Sequence, residues 1–178
     1  MSPRIRKFAL TAHLTSSVGW LGAVAVFLAL AVVGLTSRDA RTVRGVYLVM
    51  EPTAWLILVP LSFASLLTGV VMSLGTAWGL FRHYWVLFKL LLTVFATIIL
   101  LIYMGTFRQM AGGAADPIAD LRVIRNPSPV LHAVLALLVL LVATVLAVYK
   151  PQGITAYGRR KQREERDAVT AVEHADFS

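Results

Sequence analysis

Four apolar runs, at about residues 8–35, 46–74, 85–107 and 130–149, fill most of this 178-residue chain. Each meets or exceeds the ~20 residues that a helix needs to cross a ~30 Å hydrocarbon layer. The expected fold is all-α, a four-transmembrane-helix up-down bundle followed by a charged tail at 151–178. With 58% hydrophobic and 15% charged residues, no length remains for a separate soluble catalytic domain. Any chemistry belongs inside the bundle or at its ends.

The chain holds no cysteine, which excludes disulfides, thiolate metal sites, iron–sulfur clusters and thiol nucleophiles. Arg4, Arg6 and Lys7 precede the first span in the manner of a signal-peptide n-region, but that span is too long for an ordinary h-region and reads as an uncleaved helix.

Orientation is expected from Lys and Arg in the short connections. One face carries Arg4, Arg6, Lys7, Arg82, Lys150, Arg159, Arg160, Lys161, Arg163 and Arg166; the other carries Arg38, Arg41, Arg44, Arg108, Arg122 and Arg125. The richer face is expected in the cytoplasm, which puts both termini inside and the protein in the cell membrane. The net charge of +8 suits contact between the tail and anionic headgroups and does not require nucleic acid.

The connections are punctuated. Residues 36–45 read as a short external loop. Trp78, Phe81, Tyr84 and Trp85 form an aromatic belt around the internal connection. Residues 109–129, with Gly112-Gly113 and three prolines, read as a long external segment with a surface turn of helix at about 116–123.

Within the first span, His13, Ser16, Ser17 and Trp20 share one face, and Gly19 and Ala23 give it a small-residue edge. Lipid offers imidazole no partner, so His13 is expected to face the bundle interior. The second span presents a matching groove of Ser62, Ser65, Gly69 and Ser73, with Pro60 as a possible kink. These stripes serve helix packing in one reading. In the other, His13 ligates haem or a metal.

Depth limits the partners. At ~1.5 Å per residue, His13 lies roughly 8 Å above the inner end and His132 roughly 25 Å above it. Trans axial ligands on one iron are only about 4 Å apart, so these two histidines do not share it. The inner candidates are Lys89, His83 and Met72. Lys89 is either a site residue or an anchor snorkelling to headgroups, and Met72 either fills space or completes a His/Met iron site.

A second polar group lies toward the outer face: Met50, Glu51, Met104 and His132, with Met110 nearby. Glu51, the only acid in any span, precedes Pro52 and fits a helix start. Joined to His132 and the methionine sulfurs, it makes a candidate copper site, since thioether and imidazole suit Cu(I). A proton relay to a quinone or other substrate is a further use of the same pair.

His13 with Trp20-Leu21-Gly22, followed by Trp85-Val86-Leu87-Phe88-Lys89-Leu90, resembles the pattern of the copper-resistance protein D group and its relatives. Those relatives include HemJ-type protoporphyrinogen oxidases and uncharacterised actinobacterial four-helix membrane proteins, to which residues 74–93 look most similar. The resemblance to HemJ-type proteins implies haem b on His13 and an activity-related lysine at Lys89. This chain has Leu101-Ile102-Tyr103-Met104 where those proteins carry a late third-helix histidine. The copper-resistance resemblance implies copper movement across the membrane, although no methionine-rich external segment is present. Three functions thus emerge: a haem b-linked redox protein or subunit around His13 and Lys89, a copper-handling transporter, and a non-catalytic scaffold. In the last of these, small-residue faces bind a homo-oligomeric or membrane-complex partner.

Overall fold

The computed structural model describes residues 1–75 and 79–176. Four helices span the bundle: α1 (Pro3–Thr36), α2 (Ala40–Gly75), α3 (Tyr84–Ala115) and α5 (Ser128–Tyr149). A single turn, α4 (Leu121–Ile124), precedes α5, and α6 (Ala156–Asp176) forms the tail. No strand occurs among the described residues; His83 and Ile154 make an isolated antiparallel bridge. The expected all-α four-helix bundle is therefore the observed one.

Each helix packs against its two sequence-order neighbours around the ring, with α1 closing onto α5. Helices α1 and α3 thus oppose each other across the bundle, as do α2 and α5. Only 28% of the most apolar window of α1, and 11% of those of α3 and α5, is buried. Side chains such as Phe8, Leu56, Ile102 and Val148 cover the outer surface, an apolar area that is matched by a bilayer rather than water. The chain is a multi-pass membrane protein.

The interior follows helical periodicity. Trp20, Val24, Phe27 and Ala31 of α1 meet Val43, Tyr47, Met50, Ala54 and Leu58 of α2, with Tyr103, Phe107 and Ala114 of α3. Because lipid competes equally for apolar side chains, close packing holds such helices together. Phe107 sits edge-on to Phe27 at 5.7 Å and to Tyr103 at 5.0 Å between ring centroids. Gly34 admits the Tyr47 ring, which a Cβ there would meet at 3.0 Å.

Several helix boundaries differ from those expected. Helix α2 begins at Ala40, where the Asp39 carboxylate accepts hydrogen bonds from the Thr42 hydroxyl and the Arg41 and Thr42 amides. Those bonds hold the Asp39 carboxyl below its usual range. Glu51 consequently lies well inside the helix and does not cap it. The irregularity expected at Pro60 begins earlier, as a π-helical turn at Ala54–Leu58 in which the Val59 amide donates to the Ala54 carbonyl. Pro52 and Pro60 each remove an amide donor, and the wider turn re-pairs the backbone between them. Helix α3 continues through Gly112-Gly113 to Ala115, since Met110, Ala111 and Ala114 bury one face of this last stretch. That packing outweighs the glycines' poor helix propensity.

One end of the bundle gathers both terminal regions. Met1 packs on Gly75, the Thr155 amide donates to the Arg82 carbonyl at 3.0 Å, and Arg82 pairs with Glu165 of α6. At the other end, Arg44 donates to the carbonyls of Ala114, Asp116, Pro117 and Ala119. Arg125 donates to the Ser37 carbonyl at 2.6 Å. These arginines tie the segment between α3 and α5 down onto the mouth of the bundle.

Candidate functional site

His13 and Lys89 start on opposite helices and meet in the bundle interior: Lys89 Nζ lies 3.2 Å from His13 Nε2. On the other edge of the ring, Nδ1 lies 3.1 Å from Thr68 Oγ1. The direction of this chain follows from proton bookkeeping. Thr68 donates its one hydroxyl proton to the Ala64 carbonyl at 2.5 Å, so its oxygen accepts from Nδ1–H. The neutral imidazole then keeps its lone pair on Nε2, where a Lys89 N–H donates. A hydrogen bond at Nδ1 that orients the ring and leaves Nε2 basic is the arrangement found behind metal-ligating histidines.

The surroundings maintain this geometry. Gly69 packs against the imidazole, and a Cβ there would sit 3.1 Å from Cε1. One turn along, Ser17 and Ser65 hydroxyls bond at 2.8 Å, and Ser16 donates to the His13 carbonyl at 3.1 Å. The hydroxyls of Thr93 and Thr97 return to the carbonyls of Lys89 and Thr93. Polar groups in this part of the bundle therefore have internal partners, as hydrocarbon surroundings demand.

His13 and Lys89 line a cavity of about 490 Å³ at the end that holds both terminal regions. Met72 lines it as well, with Leu10, Leu66, Val86 and Leu90 as apolar wall. Arg6, Lys89 and Lys150 give it cationic character, and no carboxylate is among its described lining residues. Such a space favours an amphipathic ligand with an anionic end.

Of the inner residues singled out from sequence, Lys89 and Met72 share this cavity with His13. His83 does not line it; it precedes α3 at the junction with Ile154. Trp78 of the aromatic belt lies outside the described residues. Thr68 and Arg6 were missed. Thr68 was within reach of the sequence argument, since it stands three residues after Ser65 and next to Gly69 on the same groove.

The outer group is divided. His132 and Met50 line one cavity, walled by all four spanning helices, whereas Glu51 lines a separate open groove with Arg108 and Trp55. Met104 is buried in the core. Among the described residues, no three His, Asp or Glu side chains come together as a metal-binding group. His132 instead stacks on Tyr103, with ring centroids 4.1 Å apart.

Fold and site together define a multi-pass, four-helix membrane protein with an internal, cation-lined cavity. No family model, curated protein or solved structure matches the chain.

Proposed function

We propose that this chain is a haem b-linked redox protein or redox subunit of the cell membrane, with the cofactor held in the His13–Lys89 cavity. The observation that carries the reading is the imidazole fixed at Nδ1 by Thr68, with its Nε2 lone pair on the side of Lys89. In this reading His13 would hold the haem iron, and the Met72 thioether, which lines the same cavity, would be available as a second donor. The apolar wall suits a porphyrin face, and Arg6, Lys89 and Lys150 suit its carboxylates. Haem b supplies one-electron chemistry when bound; the chain's own part is to orient the imidazole, offer cations and exclude water. Since Lys89 holds Nε2 in the described state, its ammonium would have to release Nε2 for His13 to hold the iron, and would then be free to donate to an anionic group. The resemblance of His13 with Trp20-Leu21-Gly22, and of Trp85-Val86-Leu87-Phe88-Lys89-Leu90, to HemJ-type proteins is in keeping with this reading. Both termini are assigned to the cytoplasm from the Lys and Arg distribution, with the tail at anionic headgroups.

The test is an absorption spectrum with total metal analysis on detergent-purified protein from haem-replete cells. A Soret band lost or shifted in His13→Ala but kept in His132→Ala supports the reading. A haem-free wild-type protein, or equal loss in both folded variants, overturns it. Copper without haem would favour metal transport, and neither would favour a scaffold.

A further inference from the structure

In the half of the bundle away from Lys89, a second cavity of about 240 Å³ is walled by α1, α3 and α5, with Met50 and Leu58 of α2. It is walled by the rings of Trp20, Phe27, Phe95 and Phe107 and is apolar apart from a few groups, chiefly Tyr103 and His132. Phe95 and Leu135 line it and are also exposed on the outer surface, at 58% and 51%. The cavity therefore reaches the lipid-facing seam between α3 and α5.

The hydrogen bonds at its polar edge leave one capacity unused. His132 Nδ1 lies 2.9 Å from the Ser128 backbone carbonyl. A carbonyl accepts only, so Nδ1 carries the proton and Nε2 carries the lone pair. Tyr103 donates its hydroxyl proton to Ser128 Oγ at 2.9 Å. Among the described residues no hydrogen bond is made at His132 Nε2, and since the stacked Tyr103 and His132 rings both line the apolar space, Nε2 is the acceptor that wall can offer. In a medium without water, an acceptor of this kind selects a ligand that brings a donor.

We infer that this cavity binds a lipophilic phenol, a single hydroxylated aromatic ring on an apolar tail, taken from the bilayer. Its hydroxyl donates to His132 Nε2, its ring packs among the surrounding aromatics, and its tail leaves through the α3–α5 seam. The volume suits one ring rather than a fused polycycle. This site is independent of the cofactor reading, since it shares no lining residue with the His13–Lys89 cavity.

The probes are 4-hexylphenol and 4-hexylanisole, which share shape but differ in the donor, titrated into the full chain in nanodiscs against empty nanodiscs. The phenol is expected to bind about tenfold more tightly, the size of one buried neutral hydrogen bond. That preference should vanish in His132→Phe and survive in part in His132→Gln, whose amide oxygen accepts. Ala136→Leu, which fills the cavity, should lose both ligands. In wild-type protein labelled with ¹⁵N-histidine, the His132 Nε2 resonance should move with the phenol and stay with the anisole, a readout that needs no folded variant. Equal affinity for the two probes, binding no greater than to empty nanodiscs, or an unmoved Nε2 resonance overturns the proposal.

Discussion

Lys89 Nζ reaches His13 Nε2 at 3.2 Å from a helix on the far side of the bundle, so its side chain runs inward across the interior. A lysine anchored at headgroups runs outward. Anchoring requires only a long stem and a cation, and Arg would serve it equally. The inward contact instead depends on a compact ammonium at one position, which Arg's planar fork does not reproduce. Lys89→Arg should therefore disturb the His13 ring, measured by histidine NMR, and, on the haem reading proposed above, should lose most of the Soret band. Wild-type behaviour in Lys89→Arg with instability in Lys89→Met would return Lys89 to an anchoring role.

The close approach of Gly69 to His13 makes a second prediction. An added Cβ would lie 3.1 Å from Cε1, and the ring is tethered on both edges, so it has little room to yield. Gly69→Ala should lower stability by about 1–3 kcal/mol, as overpacking does, despite alanine's better helix propensity. Gly22 meets nothing within 4 Å, so Gly22→Ala should be neutral or stabilising by up to ~1 kcal/mol. Thermal unfolding of the two variants in one detergent compares them; similar melting points would contradict the packing argument.

Arg44 serves four carbonyls of the segment after α3. A lysine has the charge but not the planar fork that bridges them. Arg44→Lys and Arg44→Ala should both speed hydrogen exchange at residues 114–125 by about tenfold or more, the effect of losing ~1.4 kcal/mol of local stability. Exchange within 85–107 should hardly change. Unchanged exchange at 114–125 would show that Arg44 is not the restraint.

Topology is checked separately. A reporter active only outside the cytoplasm, fused after Ser178, should be silent, and the same reporter placed between Thr36 and Ala40 should be active. The reverse pattern would invert the membrane orientation and place the His13–Lys89 cavity at the opposite face.

Much was legible before folding because the bilayer restricts what an apolar run can do. Run length over hydrocarbon thickness yielded the four spans, and the spacing of His13, Ser16, Ser17 and Trp20 placed them on one face, since the helical repeat is local geometry. The matching depths of His13 and Lys89 were computable from the rise per residue. Helix ends were less legible: α3 extends past Gly112-Gly113 because distant side chains bury that stretch, and α2 starts at Ala40, capped by Asp39, rather than at Glu51.

By itself, then, the sequence determined a four-span helical membrane chain, its polar faces and the approximate depth of each titratable group, all consequences of local geometry and solvent thickness. Only the tertiary structure decided which faces meet. It set α1 opposite α3, so that Lys89 reaches His13, and added Thr68 as the group that orients the ring. It sent Glu51 and His132 to different cavities, because rotation of each helix about its own axis is set by packing against its neighbours. Span length and depth contain no information about that rotation, and the candidate site exists only once it is set.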